Sequence, residues 1–134
     1  MSRRISPVLV AFAVVAVGIV AYGWLSLRDA APTTGPSADP VSGLLWVDAG
    51  QLPPEASDTL AAIAAGPPYP YRQDGATFFN REGLLPPENA GYYREFTVDT
   101  PGSDDRGARR IVVGEAGEYY WTDDHYNTFW RIRR

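Results

Sequence analysis

The sequence predicts an α+β domain: one N-terminal helix packed on an antiparallel β-sheet of about five strands, preceded by a hydrophobic export or anchor helix. Three observations predict it. A long uncharged stretch opens the chain, one segment carries a helical apolar period, and the remainder reads as short strands broken by Gly, Pro and Asp. Of 134 residues the first forty do not read as fold, which leaves room for one modest core.

Arg3 and Arg4 precede the uncharged run from Ile5 to Leu27. A membrane-spanning helix takes about 20 such residues, whereas a signal-peptide core is about 7–15 and ends at a small-residue cleavage site. Ala21-Tyr22-Gly23 offers such a site, so residues 1–28 read as either a cleaved signal peptide or a retained signal anchor. Both keep Arg3 and Arg4 in the cytoplasm and carry the rest across the membrane. The expected location is extracytoplasmic, with the domain secreted or tethered by an N-terminal segment in the membrane. Residues 29–40, rich in Ala, Pro, Thr, Gly and Ser, read as a flexible linker, which places the domain at 41–134.

Pro53 and Pro54 open the helix, Glu55 suits its first turn, and Leu60, Ile63 and Ala64 share one face. Gly66-Pro67-Pro68 ends it. The expected strands are Thr77 to Arg81, Tyr92 to Asp99, Arg109 to Glu115, Glu118 to Thr122 and Thr128 to Arg133. Residues 101–105 and 122–124 read as turns.

The formal net charge is −4, and from Val41 onward fourteen acidic residues against nine Arg give −5. Affinity for nucleic acid comes from neutralising phosphates, so any such function must use a local Arg cluster and not a basic field. The chain has no Cys, which excludes disulfides and thiolate metal sites, and its single His argues against zinc. No metal or cofactor is expected.

Glu95, His125 and the Arg106/Arg109/Arg110 group are the residue types that metal-free RNA cleavage needs. They supply a base for the 2′-OH, an acid for the leaving 5′-oxygen and positive charge for the phosphorane. Strand alternation puts Tyr93, Glu95 and Thr97 on one face and Arg94, Phe96 and Val98 on the other, with Arg110 opposite Arg109 and Ile111. These types are common in small proteins. A solvated strand face, a charged turn entering a strand and a His in a turn are the commoner readings at this level.

Six segments carry a more specific signal. They are residues 52–60 (LPPEASDTL), 70–75 (PYRQDG), 80–82 (NRE), 91–98 (GYYREFTV), 106–111 (RGARRI) and 124–126 (DHY). In order and spacing they resemble the short secreted bacterial branch of the guanyl-specific microbial ribonucleases, the family of barnase. The resemblance runs from about Leu52 to the end of the chain and implies the microbial ribonuclease fold.

The resemblance implies roles residue by residue. Glu95 matches the general base and His125 the acid, while Arg106 and Arg110 match the guanidinium groups that hold the phosphate. Tyr126 matches a hydroxyl donor to the same phosphate, and Arg109 is expected to face away. Glu82 matches the carboxylate that accepts hydrogen bonds from the Watson–Crick edge of guanine. The amides around Asn80 and Arg81 match those that meet O6, and Phe78 and Phe79 complete the expected substrate-binding set. The implied reaction is cleavage of single-stranded RNA 3′ of guanosine through a 2′,3′-cyclic phosphate, which then hydrolyses.

The chain departs from the family pattern in four places. Phe79 stands where a polar residue is usual, and Arg94 stands where His is often found, bringing positive charge toward Glu95. The disulfide of the short branch is absent, and the strand expected before Leu52 matches poorly. The implied partner is RNA, with a small proteinaceous inhibitor as a further candidate and a monomer as the expected state. The competing reading is a non-catalytic ribonuclease-like module that binds RNA or protein. Decay usually removes the His or the Glu first, and both are present here.

Overall fold

The computed structural model describes residues 35–134. The expected leader, and the linker as far as residue 34, lie outside the described residues. The elements are β1 (Trp46–Asp48), a 3-10 turn (Ala49–Gln51), α1 (Pro54–Ala65), β2 (Ala76–Phe78), β3 (Tyr93–Thr97), β4 (Arg110–Gly114), β5 (Tyr119–Thr122) and β6 (Trp130–Arg133). They form one six-stranded sheet in the order β1-β6-β5-β4-β3-β2. Every pairing is antiparallel except β1 with β6, which is parallel.

The sheet is therefore mixed and has six strands, where a purely antiparallel sheet of five was expected. The strand missed is β1. Its three residues are too few to carry a period, and it is held by pairing with the last strand, remote in sequence. The strand expected at residues 77–81 stops at Phe78 because Asn80 adopts a left-handed backbone, φ 50°. The strand expected from Thr128 begins two residues later because Asp124 accepts from the Thr128 amide (2.9 Å) and hydroxyl (2.7 Å), keeping that residue in the loop.

Residues 36–40, expected as the end of the linker, belong to the folded unit. Asp39 is buried, 3.5 Å from Arg131 of β6, and accepts from the Ser42 hydroxyl at 2.7 Å. The domain boundary thus lies before Val41.

Pro54 sits at the first position of α1, and at the other end the Gly66 amide (φ 80°) donates to Ala62 O. The helix packs on one face of the sheet, where Ala56 meets Val98, Ile111, Trp121 and Ile132. Thr59 fixes its azimuth by donating to Thr97 O at 3.0 Å. The other face is not left to water. Leu85, Tyr93, Val112, Tyr120 and Phe129 form a second buried cluster there, with Phe78 and Tyr126 packed against it. Ile111 and Val112, adjacent on β4, are both fully buried, one in each core.

Candidate active site

Beside the second core, the register gathers polar groups on one face. Glu95 of β3 pairs with Val112 of β4 and Ala76 of β2, while Thr97 pairs with Arg110, and Arg110 with Thr122. With a period of two, Glu95, Thr97, Arg110 and Thr122 all point away from α1. The sequence-expected pair Glu95 and Arg110 is thus built into rigid, neighbouring strands.

The surrounding contacts join the expected catalytic set. Arg106 Nη2 lies 3.7 Å from Glu95 Oε1, and the Tyr126 hydroxyl donates a short hydrogen bond to Glu95 Oε2. Burial, reinforced by that hydrogen bond, pushes the Tyr126 hydroxyl up to about 12, with Arg110 pulling the other way. Tyr126 therefore stays a proton-bearing donor throughout the neutral range. The Arg110 guanidinium lies 5.9 Å from the centre of the Tyr126 ring.

Arg110 is the unusual member. It is 2% exposed, yet no carboxylate lies within 4.0 Å of it among the described residues. Its hydrogen bonds all run through Nη1, to the carbonyl oxygens of Arg109 (2.7 Å), Gly107 (2.9 Å) and Arg106 (3.4 Å). Its Nε is buried without a partner, as is Thr97 Oγ1 on the strand beside it. A buried cation normally requires an anion and full hydrogen bonding. Arg110 Nε and Nη2 make no hydrogen bond among the described residues.

His125 and Tyr126 come after β5 in a tight loop, and both have positive φ, 59° and 70°. Such backbone in bulky residues costs on the order of 1–3 kcal/mol each and persists only where its surroundings enforce it. Asp124 enforces it. Its carboxylate accepts from the Thr122 hydroxyl and from the amides of Asn127 and Thr128. Burial raises the Asp124 pKa, but the bonds from Thr128, Thr122 and Asn127 outweigh it and hold the group below the ordinary carboxylate value. The His125 amide donates to Ala108 O at 3.2 Å, and the exposed imidazole lies 5.3 Å from the Tyr126 ring.

The expected base-recognition residues form a separate loop that starts beside this cluster. The Phe78 ring is stacked on Tyr126 at 5.1 Å and meets Phe129 edge-on, so one of its faces is already covered. Asn80 spends its side chain on the loop itself, donating to Leu85 O (2.8 Å) and accepting from the Leu85 amide (3.0 Å). Arg81 lies over the Phe79 ring, 5.4 Å from its centre, and Phe79 is 60% exposed. Glu82 is exposed at the loop tip.

Arg94 does not bring charge to Glu95 as expected. Strand alternation turns it to the other face, where Nη1 donates to Gly75 O at 3.3 Å. Arg109 does face away, 3.4 Å from Glu55 of α1. Asp124 and Thr97 were not among the expected site residues. The Thr-Asp-Asp turn flagged the first, and strand alternation put the second on the face of Glu95, while its pairing with Arg110 is visible only in the fold.

The family model described as ribonuclease matches residues 35–133. Guanyl-specific ribonuclease St of Saccharopolyspora erythraea is 58% identical over 88 residues, covering 66% of this chain and 87% of that protein. Guanyl-specific ribonuclease Sa of Kitasatospora aureofaciens is 57% identical over 90 residues, covering 66% and 92% respectively. Among solved structures, ribonuclease Sa2 with guanosine-2′-cyclophosphate superposes with a TM-score of 0.63 at 56% identity, covering 66% of this chain and 94% of that one. Fold, register and these similarities agree, and the chain belongs to the ribonuclease family, in its guanyl-specific microbial branch.

Proposed function

We propose that this protein is an endoribonuclease that cleaves single-stranded RNA 3′ of guanosine through a 2′,3′-cyclic phosphate. The observation that carries the reading is Arg110: a buried guanidinium without a carboxylate, on the strand beside that of Glu95 and on the same face of the sheet, is built to receive a phosphate. Membership of the guanyl-specific ribonucleases supports the same reaction.

In the first step Glu95 takes the 2′-OH proton and the 2′-oxygen attacks phosphorus. The bond to the 5′-oxygen breaks, and His125, as imidazolium, delivers a proton to that oxygen. Arg106 and Arg110 balance the charge that gathers on the phosphorane. The Tyr126 hydroxyl, held protonated, passes from Glu95 to a phosphate oxygen, which frees the carboxylate to act as base. In the second step the roles exchange: His125 takes a proton from water, and Glu95 returns one to the 2′-oxygen, leaving a 3′-phosphate.

Guanine is read by the loop at residues 78–82. Glu82 accepts from N1–H and the amino group, and the amides around Asn80 and Arg81 meet O6. Phe78 and the exposed Phe79 provide apolar contact. The Asn80 side chain acts indirectly, by fixing the loop through Leu85. Residues 1–28 export the domain or tether it outside the cytoplasm, and a small acidic inhibitor protein covering Arg106 and Arg110 is the partner this site fits.

The test is cleavage of guanylyl and adenylyl dinucleotides by the full-length chain, with EDTA present. Cutting after guanosine only, lost in His125→Ala, is expected. A folded protein that cuts neither substrate would move the assignment to a binding module.

A further inference from the structure

Among the described residues, two buried side-chain atoms that lack a hydrogen-bond partner belong to one cross-strand pair: Thr97 Oγ1 on β3 and Arg110 Nε on β4. The next pair along carries the ladder bond, from Val98 N–H to Arg109 O at 3.1 Å. Thr97 and Arg110 are therefore a non-hydrogen-bonded pair, the kind whose side chains approach more closely, with Cβ atoms about 4.5–5.5 Å apart. The two residues are 4% and 2% exposed, so neither atom can turn to water instead.

The Thr97 hydroxyl is not what holds the strand. The Thr97 amide donates to Asp74 Oδ1 at 2.8 Å, and its carbonyl oxygen accepts from the Thr59 hydroxyl at 3.0 Å. Both backbone groups are fixed without help from the side chain. A buried hydroxyl with no partner costs free energy, and valine, of nearly the same shape, would fill the position without that cost. A polar group in such a place calls for a role outside the fold.

Arg110 supplies one. Its Nη1 is committed to the carbonyl oxygens of Arg106, Gly107 and Arg109, which pins one corner of the guanidinium. Nη2 makes no hydrogen bond and, unlike Nε, is not sealed from solvent. A planar group pinned at one corner can still tilt about it, and a second bond at Nε would fix the plane in which Nη2 is presented. The Glu95 carboxylate on the same face is engaged by Arg106 and Tyr126 instead.

We propose that Thr97 is a positioning residue for Arg110: when a phosphate draws on Nη2, the Thr97 hydroxyl accepts from Nε and fixes the guanidinium plane. A bond made only with the phosphate in place strengthens the hold on phosphate and phosphorane and adds nothing to folding. This role rests on the phosphate-binding role given to Arg110, so it needs a readout that does not depend on cleavage.

Guanosine 3′-monophosphate and guanosine differ only in the phosphate, and both are titrated into the full-length chain. A hydrogen bond to a charged group is worth on the order of tenfold in affinity. Thr97→Val is expected to weaken guanosine 3′-monophosphate about tenfold and guanosine not at all, while its midpoint in urea stays level or rises. Thr97→Ser, which keeps the hydroxyl, should restore the affinity. In an Arg110→Lys background, which has no Nε–H to place, Thr97→Val should change nothing further. Unaltered affinity in Thr97→Val, equal losses on both ligands, or an undiminished effect in the Arg110→Lys background would overturn the role. So would a urea midpoint that falls in step with the affinity. If the wild type binds guanosine 3′-monophosphate more tightly than guanosine and cuts no RNA, the catalytic reading fails and these affinities still decide Thr97. A wild type that binds the two ligands equally would overturn both.

Discussion

The two faces of the sheet are built from alternate residues of the same strands, yet they answer to different demands. Toward α1, Phe96, Val98, Ile111 and Trp121 fill a dry core. Away from it, Glu95, Thr97, Arg110 and Thr122 stand beside an aromatic cluster that has no helix over it. A single step along β4, from Arg110 to Ile111, passes from a buried cation with unspent donors to a fully buried aliphatic side chain. The difference shows where the site gets its precision. Its charged groups are held by the strands that the core immobilises, so packing on one face orients chemistry on the other.

Substitutions on either face would break or sharpen that contrast. The largest effect is expected where the polar face runs out into the loop at residues 79–85. Glu82→Ala should erase most of the guanine preference, which in a site built for such hydrogen bonds reaches about 10⁴–10⁵. An unchanged guanosine-to-adenosine rate ratio would place base recognition elsewhere.

Next is Glu95→Gln, expected to slow transesterification at least about a hundredfold while leaving the melting temperature within a few degrees. Wild-type rates in that variant would remove Glu95 as the base. Its neighbour on the other face should behave oppositely. Phe96→Leu is expected to cost on the order of 1 kcal/mol of stability, with residual activity intact once folded. The harsher Ile111→Ala should cost about 2–5 kcal/mol. If urea denaturation showed Glu95→Gln to be as destabilising as Ile111→Ala, the division between the faces would not hold.

The smallest effects are in pH. The Tyr126 pKa is raised to about 12, so the stability it contributes is complete below the unfolded tyrosine value near 10 and is lost as pH rises through about 12. Spectrophotometric titration should lose its latest-ionising tyrosines in part in Tyr126→Phe. The Asp124 pKa is lowered, so its contribution is present above the ordinary aspartate value of 3.8 and fades as pH falls through the folded value. Asp124→Asn should flatten the acid limb of the stability profile, and an unaltered limb would mean that the loop is held by other groups.

Much of this was legible in the sequence, and the exceptions have physical causes. The helix was marked at both ends by Pro, Glu and Gly, and β3 to β5 were marked by alternation. Their boundaries shifted by one or two residues, where pairing and not propensity sets the last hydrogen bond. Local pattern did not reveal β1 or Asp39, whose partners Ile132 and Arg131 stand at the far end of the chain. Nor could it show that Asn80 ends β2, because a left-handed residue is specified by the side-chain bonds it makes to Leu85. Glu95, Arg106, Arg110, Tyr126 and His125 were all indicated by motif resemblance; in the structure Arg106 and Tyr126 contact Glu95, Arg110 lies by the Tyr126 ring, and the His125 ring is 5.3 Å from that of Tyr126. Only the fold could supply the burial of Arg110, since Arg94 and Arg109 look the same in sequence and face the other way.

The parallel pairing of β1 with β6 also carries a consequence for biosynthesis. Among the described residues, β1 has no neighbour in the sheet until β6 exists, and contacts so distant in sequence form late. A chain still on the ribosome therefore holds Glu95 and Arg110 on a sheet it cannot close. Release of residues 1–129 without β6 is expected to give no nuclease activity, and restoring the last five residues should switch it on. The codons for β6 thus time the appearance of an activity that could destroy the message encoding it.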